Sequence, residues 1–143
     1  MKVADLLKNK GQTIHSVTSD ESVFVVMRKL VENRIGALIV MDPQGRVMGI
    51  ISERDILKAV YEDYDTFKTK KVADLMTTNL LVAIPEDDLE YAMGIMTQNR
   101  IRHLPIVTKE GVAGIISIGD IIKFQLDETQ VKNRYLEEYI LGQ

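Results

Sequence analysis

Hydrophobic and polar positions change period several times along this chain, and the changes recur. From Val3 to Asn9 apolar residues alternate with charged ones at helical spacing, predicting a short amphipathic helix, and Val72 to Met76 predicts another. A brief extended stretch follows each, Ile14 to Val17 and Leu80 to Ile84. The acid-rich segments Ser19-Asp20-Glu21-Ser22 and Pro85-Glu86-Asp87-Asp88 come next. They predict helix starts, because negative charge suits a first helical turn and proline is accepted there. Val23, Val26, Met27 and Leu30 then keep helical spacing, as do Leu89, Ala92, Met93 and Met96. Beyond Ile35 and Ile101 the period collapses into nearly continuous apolar runs, Ala37 to Met41 and Leu104 to Val107, which predict buried strands. Turns at Asp42-Pro43-Gln44-Gly45 and Lys109-Glu110-Gly111 lead to strands Val47 to Ile51 and Val112 to Ile116, with helices from Glu53 and Ile118.

The chain is therefore a repeat. Val3-Ala4-Asp5-Leu6 recurs as Val72-Ala73-Asp74-Leu75, and Asn33-Arg34-Ile35 as Asn99-Arg100-Ile101. Gly49-Ile50-Ile51-Ser52-Glu53-Arg54-Asp55-Ile56-Leu57-Lys58 returns as Gly114-Ile115-Ile116-Ser117-Ile118-Gly119-Asp120-Ile121-Ile122-Lys123, with seven of ten positions identical. The offset drifts from 69 to 66 to 65, as small loop indels would produce. Each copy reads strand, helix, strand, strand, helix, an α+β unit whose small sheet needs the other copy to complete a core. The expected units are 1–62, 71–126 and a C-terminal helix over 127–143. In that last stretch Val131, Tyr135, Leu136, Tyr139 and Ile140 lie about a helical turn apart, an apolar stripe that either closes the fold or meets a partner.

Composition narrows the function classes. With 143 residues, 45% of them hydrophobic, the chain can bury a real core. A net charge of −3 argues against a nucleic-acid binder, and the absence of cysteine removes disulfides, thiolate metal sites and cysteine nucleophiles. The N-terminus carries charge through its apolar residues, and no 18 apolar residues run together, so the expectation is a soluble cytoplasmic protein. Metal and enzyme chemistry find little support. His15 and His103 have no metal-ligand spacing, and serine lacks a recognisable histidine and acid arrangement. Gly114 to Gly119 has the glycine spacing of a phosphate loop, but Asp120 stands where lysine should and would repel a triphosphate.

Chemistry concentrates in Ser52-Glu53-Arg54-Asp55 and its twin Ser117-Ile118-Gly119-Asp120, each at a strand-to-helix junction. Ser-x-x-Asp at a helix start is a capping box: the hydroxyl accepts from the N–H three residues on, and the carboxylate accepts from the cap N–H. The same geometry offers a phosphate free N–H groups and a serine hydroxyl, while the carboxylate matches the vicinal hydroxyls of a ribose. Both readings stand on these residues alone, and the duplication favours a nucleotide grip.

The two-copy layout, Gly-Ile-Ile-Ser-x-x-Asp after an apolar strand, and Arg102-His103-Leu104-Pro105-Ile106-Val107 resemble the CBS domain, whose pairs form a Bateman module. The resemblance covers roughly Val3 to Phe124. It implies two copies packed about a pseudo-twofold axis, with two clefts that in this family commonly hold AMP, ADP or ATP, and in some members NAD(H) or S-adenosyl compounds. Carried over, Ser52 and Asp55 would face phosphate and ribose in the first cleft, with Leu81, Val82, Leu104 and Pro105 on adenine and Arg102 and His103 near phosphate. The second cleft would set Ser117 and Asp120 against Thr13, Ile14, Gly36, Ala37 and Leu38. Because Gly36-Ala37-Leu38-Ile39 and Arg102-His103-Leu104-Pro105 differ, the clefts should be unequal. Arg102 suits phosphate through its forked donors, Arg54 less so, and His103 reads either as a partly buried histidine or as a phosphate contact. The expectation is a non-enzymatic regulatory sensor of an adenine nucleotide, AMP ahead of ADP, ATP or NAD, with no cofactor. It would be a homodimer with an unidentified regulated partner, and the alternative is a ligand-independent dimerisation scaffold.

Overall fold

The computed structural model describes residues 1–11 and 13–138, with side chains for all of these except 130 and 131. Its elements run α1 (Val3–Lys10), β1 (Ser16–Thr18), α2 (Val23–Asn33), β2 (Ala37–Met41), β3 (Val47–Ser52) and α3 (Glu53–Glu62) in the first copy. A 3-10 turn at Phe67–Thr69 leads to α4 (Val72–Leu75), α5 (Leu89–Gln98), β4 (His103–Thr108), β5 (Gly111–Ser117) and α6 (Ile118–Glu137). In the first sheet β1 pairs parallel with β2, and β2 antiparallel with β3. The second keeps the antiparallel pair β4–β5, but its counterpart of β1 shrinks to one parallel bridge, Ala83 to Ile106. The expected stretch from Leu80 to Ile84 thus pairs through Ala83, whose N–H donates to the Pro105 carbonyl at 3.0 Å.

Two cores result, and the chain crosses between them. Val17, Val26, Leu38 and Ile51 of the first copy pack with Val72 of α4, while Leu89, Met96, Leu104 and Ile116 of the second pack with Val3, Leu6 and Leu7 of α1. Each leading helix therefore fills the other copy's core, an exchange that local periodicity does not reveal. Backbone bonds fix both crossings: the Val3 N–H donates to the Asp87 carbonyl at 2.8 Å, and the Val72 N–H to the Glu21 carbonyl at 2.9 Å. Full burial of each such aliphatic side chain contributes about 1.5–3 kcal/mol, so the crossings couple the two units strongly.

The acid-rich segments end outside the helices they announce. Ser22 caps α2 and no acid occupies that helix's first turn, while Asp88 is the N-cap residue of α5 and Pro85 lies before it. The acids instead make turn and crossing contacts: Asp20 accepts from the Thr18 hydroxyl at 2.6 Å, Asp87 from the Ile84 N–H at 2.9 Å, and Asp88 pairs with Lys2 at 2.7 Å.

At the far end, the helix from Ile118 and the expected C-terminal helix are one continuous α6. Ile121 and Phe124 close the second core, but beyond Gln125 the described apolar side chains Leu126, Tyr135 and Leu136 are exposed. The Val131 side chain and residues Tyr139 and Ile140 of the apolar stripe lie outside the described residues. No helix among the described residues is long and apolar enough to cross a membrane.

Candidate functional site

Ser52 and Asp55 form a complete capping box at the start of α3. Asp55 Oδ2 accepts from the Ser52 N–H at 2.8 Å and from its hydroxyl at 3.1 Å, while the Asp55 N–H donates to Ser52 Oγ at 3.4 Å. The Glu53 N–H, first of the helix, donates to the Gly36 carbonyl at 2.9 Å. These bonds leave Asp55 Oδ1 with no protein donor among the described residues. Next to the box opens a cleft of about 600 Å³, lined by Ser52, Arg54 and Asp55 on one side and by Thr77 and Arg100 to His103 on the other. Small-molecule sites commonly measure roughly 300–1,000 Å³. A carboxylate and a hydroxyl from one copy thus face two arginines and a histidine from the other.

Beside the box, the edge of β3 is extended by the crossing chain. The Thr77 N–H donates to the Ile50 carbonyl at 2.8 Å, and the Ile50 N–H donates back to the Thr77 carbonyl at 3.0 Å, adding one residue to the edge of β3. Gly49 permits that approach, since a Cβ there would lie 2.6 Å from the Thr77 carbonyl oxygen. Arg100 reaches the cleft from a left-handed backbone position (φ 55°) that ends the α5 segment, as Arg34 (φ 53°) ends α2. Neither Thr77 nor Arg100 was singled out on sequence. The repeated Asn-Arg-Ile was visible, but its meaning depends on a chain crossing that pattern alone does not show.

The twin junction differs. Ser117 and Asp120 also form a complete box, with Asp120 Oδ2 accepting from the Ser117 N–H at 2.9 Å. The same oxygen accepts from Lys10 Nζ at 2.7 Å, and that ammonium also donates to the Ile115 carbonyl at 2.6 Å. Burial pushes the Asp120 carboxyl upward, but the bond and charge of Lys10 and the Ser117 N–H outweigh it and hold it below the usual carboxylate range. Of the residues expected around this cleft, Thr13 is exposed and Ile14 half-buried, while Ala37 and Leu38 are buried in the first copy.

Between the two junctions, at the meeting of the copies, His103 lies against Gly36. A Cβ on Gly36 would stand 2.8 Å from His103 Nε2, so a side chain there would have to displace the imidazole. Gly36, Ser117 and His103 border a groove of about 850 Å³ that runs between α2, α3 and the start of α6. Burial lowers the His103 pKa from its ordinary value of 6.5, with Lys10 and Arg102 acting the same way and Glu53 and Asp120 opposing.

The structure therefore gathers Ser52, Arg54, Asp55, Arg102 and His103 around one cleft. It sets the expected adenine contacts apart from that lining: Leu104 is wholly buried in the second core, Pro105 is buried beside it on β4, and Leu81 and Val82 are exposed. Strand alternation explains Leu104, since the neighbouring His103 looks the other way, toward the cleft. Among the described residues no group of three or more His, Asp or Glu could hold a metal ion.

Comparison with known proteins agrees with this architecture. The CBS domain family model matches twice, at residues 3–62 and 72–127. The chain is 34% identical over 148 aligned residues to the mitochondrial CBS domain-containing protein CBSX3 of Arabidopsis thaliana, covering 98% of this chain and 72% of that protein. The crystal structure of the CBS-domain containing protein ATU1752 from Agrobacterium tumefaciens superposes with a TM-score of 0.84 at 37% identity, covering 87% of this chain and 99% of that one. CBSX2, crystallised in complex with AMP, superposes with a TM-score of 0.73 at 29% identity over 90% of this chain and 98% of its own. With both copies matched, and with two α+β units built around exchanged helices, the chain belongs to the CBS domain family as a tandem CBS pair.

Proposed function

We propose that this CBS pair is a regulatory module that binds an adenine nucleotide, AMP ahead of ADP, ATP or NAD, and is not itself an enzyme. The observation that carries this reading is the cleft where Ser52 and Asp55 face Arg100, Arg102 and His103. Asp55 Oδ1 is open to the ribose hydroxyls, and arginine forks across the cleft suit a phosphate. The complex of the similar protein CBSX2 with AMP supports the same ligand class. A nucleotide held there touches both copies, so it favours one relative arrangement of them, and a regulated partner reads the shift in population.

We further propose a homodimer. Phe24 and Val31 on α2, Leu57 and Tyr61 on α3, and Ile122 and Leu126 on α6 are all exposed. They fall at helical spacing within each helix, and a second copy would cover them. A ligand-independent scaffold is the second reading, favoured by one observation: both Ser-x-x-Asp elements are complete capping boxes, which is sufficient reason for their presence.

Thermal unfolding separates the two. Adenine nucleotides should raise the melting temperature while guanine and pyrimidine nucleotides do so weakly, since a ligand at a hundredfold its dissociation constant adds about 2.7 kcal/mol. No shift with millimolar AMP, ADP, ATP, NAD or S-adenosyl compounds would leave only the scaffold.

A further inference from the structure

We infer that Lys10 determines which of the two clefts takes the nucleotide. Its ammonium is paired with the Asp120 carboxylate, so the Ser52–Asp55 cleft fills first and the Ser117–Asp120 junction takes nucleotide only when Lys10 is displaced. The inference rests on the nucleotide reading above and adds to it a residue of this chain that makes the sites unequal.

The asymmetry begins in the leading helices. α4 has four residues, and after it the chain runs extended, so that Thr77 satisfies the Ile50 carbonyl through its backbone N–H at 2.8 Å. α1 has eight residues and continues through the corresponding stretch as helix. The Ile115 carbonyl, twin of Ile50, accepts instead from the Lys10 side chain at 2.6 Å, and the same ammonium reaches Asp120 Oδ2 at 2.7 Å. One substituted edge contact therefore places a cation on the carboxylate that would receive the ribose. Asp55, its twin, carries no ion pair among the described residues and faces an open cleft. The lysine and aspartate side chains are 35% and 27% exposed, so the pair is partly sheltered from screening. Lys10 stands on the cap oxygen of Asp120, so a ribose entering there meets a carboxylate already shared with an ammonium, whereas Asp55 is shared with its cap alone.

Calorimetric titration of AMP at low ionic strength into the full chain, Lys10→Met, Asp55→Asn and the double variant tests this. Methionine keeps the apolar stem and removes the charge. The parent chain should bind one tight equivalent of AMP, lost in Asp55→Asn. Lys10→Met should keep that site and gain a second, roughly tenfold or more tighter than the parent's second site. The double variant should bind one equivalent. A Lys10→Met protein that still binds one equivalent, or a parent that already binds two equally, overturns the inference and leaves the nucleotide reading intact. Carbon NMR titration of the Asp120 carboxyl without ligand reads the ion pair separately, and its midpoint should rise in Lys10→Met. A midpoint that stays in place also overturns the inference, and AMP binding to none of the four proteins overturns the nucleotide reading and the inference together.

Discussion

At Asp55 the two carboxylate oxygens are unequally employed. Oδ2 carries the cap, accepting from the Ser52 N–H and hydroxyl, and Oδ1 has no protein donor among the described residues. Asparagine can keep the first role but cannot act as a charged acceptor pair. Asp55→Asn should therefore cost no more than about 1 kcal/mol of folding stability. Because hydrogen bonds to charged groups contribute about 1.5–3 kcal/mol, AMP affinity should fall roughly tenfold or more. Chemical unfolding and equilibrium binding check the two halves, and an unchanged affinity would make Asp55 a cap alone. His103 gives a pH signature. Burial depresses its pKa in the folded chain, with Lys10 and Arg102 assisting and Glu53 and Asp120 opposing, so the unfolded chain takes up its proton first. The contribution to stability is unaffected above the ordinary value of 6.5, falls as pH drops through it, and levels off below the depressed folded value. Urea unfolding between about pH 5 and 8 should show that loss, and His103→Gln should flatten it. The repeat made the serine and aspartate of the cleft legible, because it marked both junctions, while Arg102 and His103 were legible only through the resemblance to the CBS domain. Sequence did not expose Arg100, Thr77 or the hold of Lys10 on Asp120, since each acts across more than 20 residues of intervening chain.

At the scale of elements, apolar period predicted each strand and helix of the copies, because buried faces impose the 2 and 3.6 residue repeats. It could not say which core an amphipathic helix enters. α1 and α4 open on the same four residues, Val-Ala-Asp-Leu, and each fits the far core rather than its neighbour. The acids before α2 and α5 misled in the opposite sense: charge near a helix start is a weak positional signal, and here turns and the Lys2 crossing use it. The exchange makes a testable demand. Leu6 is 1% exposed, so Leu6→Ala should destabilise the protein by roughly 2–5 kcal/mol. Amide exchange in Leu6→Ala should quicken most in β4 and β5, far along the chain, rather than in the adjacent β1 to β3. Acceleration centred on the first sheet would contradict the crossed packing.

For the whole molecule, the two Ser-x-x-Asp junctions related by the repeat are unequal in surroundings and in charge, and the helices carry exposed apolar side chains. Phe24 is 65% exposed, Val31 76% and Tyr61 87%, side chains that a second copy would cover. Sedimentation should find a dimer or larger, and truncation after Gln125 tests whether the outer half of α6 contributes. A concentration-independent monomer would remove the dimer from the account. The central claim, that an adenine nucleotide sits between the Ser52–Asp55 cap and the Arg100–His103 wall, is tested most directly by following amide chemical shifts as AMP is added to the full chain. The account predicts saturable shifts at Ser52 to Asp55, Thr77 and Arg100 to His103, with little change around Ser117 and Asp120 while Lys10 holds its place. Shifts absent from that cleft at millimolar AMP, or centred instead on the outer helices, would contradict it.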